Sequence, residues 1–220
     1  MIESGSREAR FTMAGAGRLF ERMHFLRGYD RLLYDIAEGR PEVEKLRDLV
    51  LKHDLAVAEV LAERDLDAIS YMDDWGTQTA LMIRPSLWRE LFKPAYKSLA
   101  DVAHKAGKAF YFHSDGRIVD ILPDLIEIGV DVINPQFSCH TLSELAQQCR
   151  GRVCIATDMD RQHLLPHGTP QEVHAYTVEV IESLGLPEGG LIGRAEAGPD
   201  TPPENIDAVY STFVNYRWER

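Results

Sequence analysis

Short apolar runs alternate along this chain with longer stretches whose apolar residues recur at helical spacing. The runs cover residues 68–72, 108–112, 130–133, 153–156 and 191–192, with a weaker one at 11–14. They are apolar at consecutive positions, as expected of strands buried on both faces of a parallel sheet. Between them, Val43, Leu46, Leu49, Val50, Val57, Val60 and Leu61 follow Pro41. Leu87, Leu91, Ala95, Leu99 and Val102 follow Pro85, and Val173, Tyr176, Val180, Ile181 and Leu184 follow Thr169. Each set predicts a helix with one buried stripe. Thr141/Glu144, Thr169/Glu172 and Thr201/Glu204 have capping-box spacing. Pro170 and Pro202 then take the first helical position, where a missing N–H costs nothing. Gly107 and Gly129 stand just before strands, where left-handed helix ends are wanted. This alternation predicts a parallel α/β fold, either doubly wound or closed into a (β/α) barrel.

Polar residues gather after the runs. Asp73 and Asp74 follow the first, and His113, Ser114 and Asp115 the second. Asn134 and Gln136 follow the third, Thr157, Asp158 and Asp160 the fourth, and Arg194 and Glu196 the fifth. In parallel α/β folds these strand ends share one rim, where barrel active sites lie. His113 and Asp115 are two apart and point the same way in extended chain. With Glu196 they make one His and two carboxylates, a donor set for Zn²⁺ or a harder divalent metal. Asp73 and Asp74 face opposite ways, so one enters the mouth while the other caps a helix or pairs with an Arg. Other candidates fall away. His163 and His167 are separated by Pro166. Gly15-Ala16-Gly17 lacks the third glycine of a dinucleotide fingerprint, and there is no nucleophile elbow.

The chain has 220 residues, one domain's worth, and a net charge of −11. That charge argues against a nucleic-acid partner and against an anionic membrane surface. No stretch is long and apolar enough to span a bilayer, and residues 1–11 lack the apolar core of an export signal. Cys139, Cys149 and Cys154 are odd in number and lack C-x-x-C spacing. They signal neither a disulfide framework nor a thiolate zinc site, and a cytoplasmic setting is expected.

Several segments resemble the uroporphyrinogen decarboxylase superfamily. They are Tyr71-Met72-Asp73-Asp74-Trp75-Gly76-Thr77-Gln78 with Ile83-Arg84-Pro85-Ser86-Leu87-Trp88, Phe112-His113-Ser114-Asp115-Gly116, the stretch from Ile128 to Gln136, and the tail from Asp200 to Ile206. The resemblance implies a TIM-type (β/α)8 barrel, here lacking its N-terminal strands, in a single domain over residues 1–220. It also implies one of two chemistries. Corrinoid-linked methyltransferases of the superfamily use zinc to activate a thiol; their His-x-Cys pair and later Cys correspond to His113, Asp115 and the neighbourhood of Glu196. True decarboxylases use no cofactor, and Asp73 would there stabilise a protonated pyrrole. This chain departs from the decarboxylases at Asp74, where they carry Ser, and at Gly193-Arg194-Ala195, where they carry a Gly-His-Gly segment. A metal-assisted methyltransferase served by a corrinoid protein is therefore expected. Decarboxylation of a tetrapyrrole is the alternative, and an inactive fragment acting as a subunit or binding module is a third. Asp73, Asp74, His113 and Asp158 are the expected catalytic groups, and His113, Asp115 and Glu196 the metal ligands. Trp75, Asn134, Gln136, Asp160 and Gln162 are the expected contacts to a small-molecule substrate. An incomplete barrel leaves strand edges open, so self-association or a partner chain is expected.

Overall fold

The structure, a computed structural model, describes residues 10–218; most of the polar segment 1–11 lies outside them. Strands β1 (Met13–Gly17), β2 (Ala68–Met72), β3 (Ala109–Ser114), β4 (Val132–Pro135), β5 (Cys154–Ala156) and β6 (Leu191–Ile192) form one parallel sheet in the order β1-β2-β3-β4-β5-β6. Helices α1 (Leu19–Arg27), α2 (Tyr29–Ala37) and α3 (Glu42–Ala62) join β1 to β2, and α4 (Pro85–Leu91) and α5 (Lys93–Lys105) join β2 to β3. Helix α6 (Leu122–Glu127) precedes β4, α7 (Leu142–Cys149) precedes β5, α8 (Leu164–His167) and α9 (Pro170–Leu184) precede β6, and α10 (Pro203–Asn215) follows it. Strands adjacent in sequence are adjacent in space, as in a (β/α)8 barrel. β1 and β6 do not pair. The fold is thus a partial TIM-type barrel, open between β6 and β1.

Strand alternation divides the sheet into two faces. Tyr71, Phe110, Phe112, Ile133 and Ile155 are buried in the core that joins sheet and helices. Phe20, Trp75, Trp88, Phe92 and Tyr96 form an aromatic cluster in that same core. Ser70, Tyr111, Val132, Asn134 and Ala156 line the inner face. Near the open side the inner face exposes apolar residues: Met13 is 49%, Met72 38% and Ile192 37% accessible. No helix among the described residues is long and apolar enough to cross a membrane.

Local structure departs from the sequence reading at four places. β3 and β4 end two residues beyond their apolar runs, because Met72, His113 and Asn134 continue the ladder. His113 and Asn134 therefore sit inside strands. The helix after Pro85 is broken at Phe92, since Pro94 lacks an N–H and crowds the preceding turn. Helix α3 buries Val43, Val50, Asp54 and Ala58, while Leu49 and Val60 face out. Asp54 is drawn inward by the Tyr71 hydroxyl, which donates to its carboxylate. Capping boxes form at Thr141/Glu144 and Thr169/Glu172 but not at Thr201. Pro202, preceding Pro203, is held extended at ψ 137°, so α10 starts only at Pro203. The Thr201 hydroxyl is left buried with no hydrogen-bond partner.

These two threonines should respond differently to substitution. Thr169→Ala is expected to cost about 1 kcal/mol in urea unfolding, whereas Thr201→Val leaves stability unchanged or raises it. Equal losses would show that Thr201 caps its helix as well.

Candidate active site

The loops leaving β2 and β3 lie backbone against backbone. A Cβ on Gly76 would stand 2.2 Å from the Arg117 nitrogen, and one on Gly116, at φ +76°, would stand 2.0 Å from the Gly76 carbonyl oxygen. Only glycine fits both positions. The contact is sealed by hydrogen bonds. Gly76 N–H donates to the Asp115 carbonyl (3.2 Å), Arg117 N–H to the Thr77 carbonyl (2.8 Å) and Asp115 N–H to Asp74 Oδ1 (2.8 Å). Gln136, buried after β4, accepts from Gly116 N–H at 2.8 Å and donates to Ser138. Asp74 and Asp115, from different strand ends, are thereby held side by side.

His113 completes the group. Asn134 donates its amide to the carbonyls of Ala156 (2.9 Å) and Thr157 (3.3 Å), so its Oδ1 is left as an acceptor. His113 Nδ1 lies 2.8 Å from that oxygen and 3.0 Å from the Asn134 carbonyl. These two acceptors make Nδ1 a donor and orient the ring so that Nε2 is the nitrogen turned to the mouth. Nε2 faces Asp115 Oδ1 at 3.5 Å and Asp74 Oδ1 at 3.9 Å. Ligand atoms of Asp74, His113 and Asp115 all lie within 4.8 Å of one another. Ligands on one ion with bonds of about 2.1 Å stand roughly 3–4 Å apart, although Asp74 Oδ1 already accepts from Asp115 N–H and both Asp115 oxygens already accept from Arg161.

Arg161, in the loop after β5, gathers the remaining acids. Its Nη2 donates to both oxygens of Asp115 at 2.7 Å, and its Nη1 lies 2.9 Å from Glu196 and 3.7 Å from Asp158. Burial opposes its charge, but Asp158, Asp115 and Glu196 outweigh that and raise its pKa further. Burial likewise pushes the Asp158 carboxyl up, against the pull of Arg161, and Asp158 Oδ1 has no hydrogen-bond partner.

Several expected site residues lie elsewhere. Glu196 is not in the ligand group; it pairs with Arg161, and Asp74 takes its place. Asp73 is fully buried. It accepts from Phe20 N–H (2.7 Å), Glu21 N–H (2.9 Å) and the Tyr96 hydroxyl (2.6 Å), and so caps α1. Trp75 is fully buried too, stacked on Phe20 with centroids 4.1 Å apart, its indole N–H donating to Tyr96. Both are core residues, because β2's alternation turns Asp74 toward the mouth. Asp160 spends Oδ1 on the N–H groups of Gln162 and His163, shaping the loop before α8. Gln162 is exposed and accepts from Ser138. Sequence reasoning missed Arg161 and gave Arg194 no role. The one available signal was a surplus of strand-end acids lacking counter-charge.

The family model for uroporphyrinogen decarboxylase (URO-D) matches residues 17–216. The chain belongs to the uroporphyrinogen decarboxylase family. No curated protein sequence matches it. Among solved structures, a methyltransferase from Methanosarcina mazei is similar at 17% identity with TM-score 0.72, over 91% of this chain and 57% of that one. A 3-keto-D-glucoside 4-epimerase, YcjR, from E. coli is similar at 14% identity with TM-score 0.50, over 93% of this chain and 100% of that one. Both likenesses are of fold. This URO-D family chain thus spans little more than half the length of the methyltransferase it resembles.

Asp73 should leave a signature in the pH dependence of stability. Burial raises its carboxyl to about 7 despite three donors. The folded state then holds a proton that the unfolded state has released, so Asp73's contribution to stability is full below about pH 4 and is lost as pH rises through about 7. Wild type should lose about 1.4 kcal/mol per pH unit relative to Asp73→Asn across that window, measured by urea unfolding. Parallel curves would rule out the assignment.

Proposed function

We propose that this chain is the barrel core of a metal-assisted methyltransferase of the URO-D family, with the methyl group carried by a corrinoid on a partner protein. The observation behind the reading is His113 Nε2, its ring oriented by Asn134, facing the carboxylates of Asp115 and Asp74. The motifs after β2 and β3 and the fold likeness to a methyltransferase support it. Asp74, His113 and Asp115 would hold the ion; one nitrogen and two oxygens suit Zn²⁺ or a harder divalent metal. Such an ion supplies Lewis-acid activation of a substrate thiol or hydroxyl.

The chain's own residues have distinct tasks in this scheme. Asn134 orients His113, and Arg161 fixes Asp115 by donating to both of its oxygens. Asp158 Oδ1 is a buried acceptor with no hydrogen-bond partner, so a substrate N–H, O–H or S–H that reached it would satisfy it. Charge balance among the described residues favours a cation here: the four acids Asp74, Asp115, Asp158 and Glu196 meet the two arginines Arg161 and Arg194. The family match leaves tetrapyrrole decarboxylation as the alternative, and the placement of Asp73 counts against it. Asp73, the carboxylate it would need, is buried and spends both oxygens on α1 and Tyr96.

Protein purified without chelator should carry about one divalent metal per chain by elemental analysis. His113→Ala should lose it, and Asn134→Ala should weaken metal affinity about ten- to hundredfold. Metal-free wild type that takes up none of Zn²⁺, Co²⁺ or Mn²⁺ would sink the reading. The open side of the barrel carries a further expectation. With Met13, Met72 and Ile192 exposed beside unpaired strand edges, the chain works covered by a partner chain or a second copy. Light scattering of the isolated chain at micromolar concentration should show self-association; a clean monomer that stays soluble would count against it.

A further inference from the structure

We infer that Arg161 and Arg194 form a binding subsite for the carboxylate of a small organic acid, and that Glu196 is an internal stand-in for that ligand. The inference rests on the reading of this mouth as a small-molecule site and deepens it by naming the substrate class.

Each guanidinium is anchored on one side and turned toward Glu196 on the other. Arg161 fixes Nη2 on both oxygens of Asp115 at 2.7 Å and brings Nη1 to 2.9 Å from Glu196 Oε2. Arg194 fixes Nη1 on Asn134 Oδ1 and brings Nη2 to 3.7 Å from the same Glu196 oxygen. One carboxylate oxygen thus lies between two guanidiniums that come from different strand ends. The arginine side chains are 19% and 34% exposed and locked by their inner contacts. Glu196 differs from them. It is 57% exposed and lies on the irregular segment between β6 and α10. It can swing into solvent while the arginines stay, and an incoming carboxylate then takes over the same contacts in the planar geometry guanidinium favours.

Position gives the subsite its use. Asp115 Oδ1 is 2.7 Å from Arg161 Nη2 and 3.5 Å from His113 Nε2. The ligand carboxylate therefore sits across Asp115 from the His113–Asp74 group, leaving the rest of a short acid within reach of the reacting end. Holding an acid by a group remote from the chemistry is the usual means of orienting it.

The stand-in makes the test direct, since wild type must first displace its own side chain. Acetate binding, followed by NMR chemical shifts, is expected to be at least about tenfold tighter in Glu196→Gln than in wild type. The neutral analogue acetamide should not bind either protein, and the double variant Glu196→Gln/Arg194→Gln should lose the gain. Unfolding midpoints confirm that each variant is folded; the half-exposed Glu196 is removable without disturbing the core. Equal acetate affinity in wild type and Glu196→Gln overturns the inference. So does acetate binding that survives loss of Arg194, or inorganic phosphate binding where acetate does not. Metal uptake by the same preparations tests the proposed function separately: protein that takes up none of Zn²⁺, Co²⁺ or Mn²⁺ yet still shows the acetate effect overturns the metal reading and leaves the subsite standing.

Discussion

The loops after β2 and β3 touch through their backbones only because neither Gly76 nor Gly116 carries a Cβ, and the geometry of the whole mouth follows from that contact. Parallel strands bring their ends near one another, but side chains on separate loops need a finer constraint to share a ligand. Here the constraint is a seam of backbone hydrogen bonds that sets Asp74 beside Asp115. Gln136 ties the seam to the next strand end, and Asn134 performs the same service for His113. Each donor is thus held by a neighbour from another strand, so the group is organised before any ligand arrives.

Charge shapes the mouth as strongly as sterics. Carboxylates crowded at a partly buried rim are costly unless paired. Arg161 relieves three at once by reaching across from the β5 loop. Asp73 shows the other solution. Removed from the rim altogether, it satisfies the first N–H groups of α1 through its two oxygens. Adjacent acids in sequence have thus been put to opposite uses, one in architecture and one at the site.

Much of this was legible in the residues. Consecutive apolar runs marked all the main strands, and Thr141 and Thr169 marked true helix starts because their partners are three residues away. The chain was silent where the partner is remote. Helix α1 has Arg18 at its N-cap and no local capping side chain; its cap is Asp73, more than fifty residues later, so no short window could reveal it. Strand alternation predicted that one of Asp73 and Asp74 would face inward, but not which, since that depends on the register of β2 with its neighbours. Trp75, beside the acid pair in sequence, is expected to contact substrate, but Phe20, Phe92 and Tyr96 enclose it, partners no short window contains. Arg161 was invisible because an arginine in the loop five residues beyond a strand end is ordinary; its importance lies in the three acids it meets.

The gap between β6 and β1 also sets the dielectric in which the mouth works. With Asp74 and Asp115 each about a third exposed, their fields are partly carried by solvent and damped by dissolved salt. Covering the gap would strengthen these interactions, since the same charges would then act through protein rather than water.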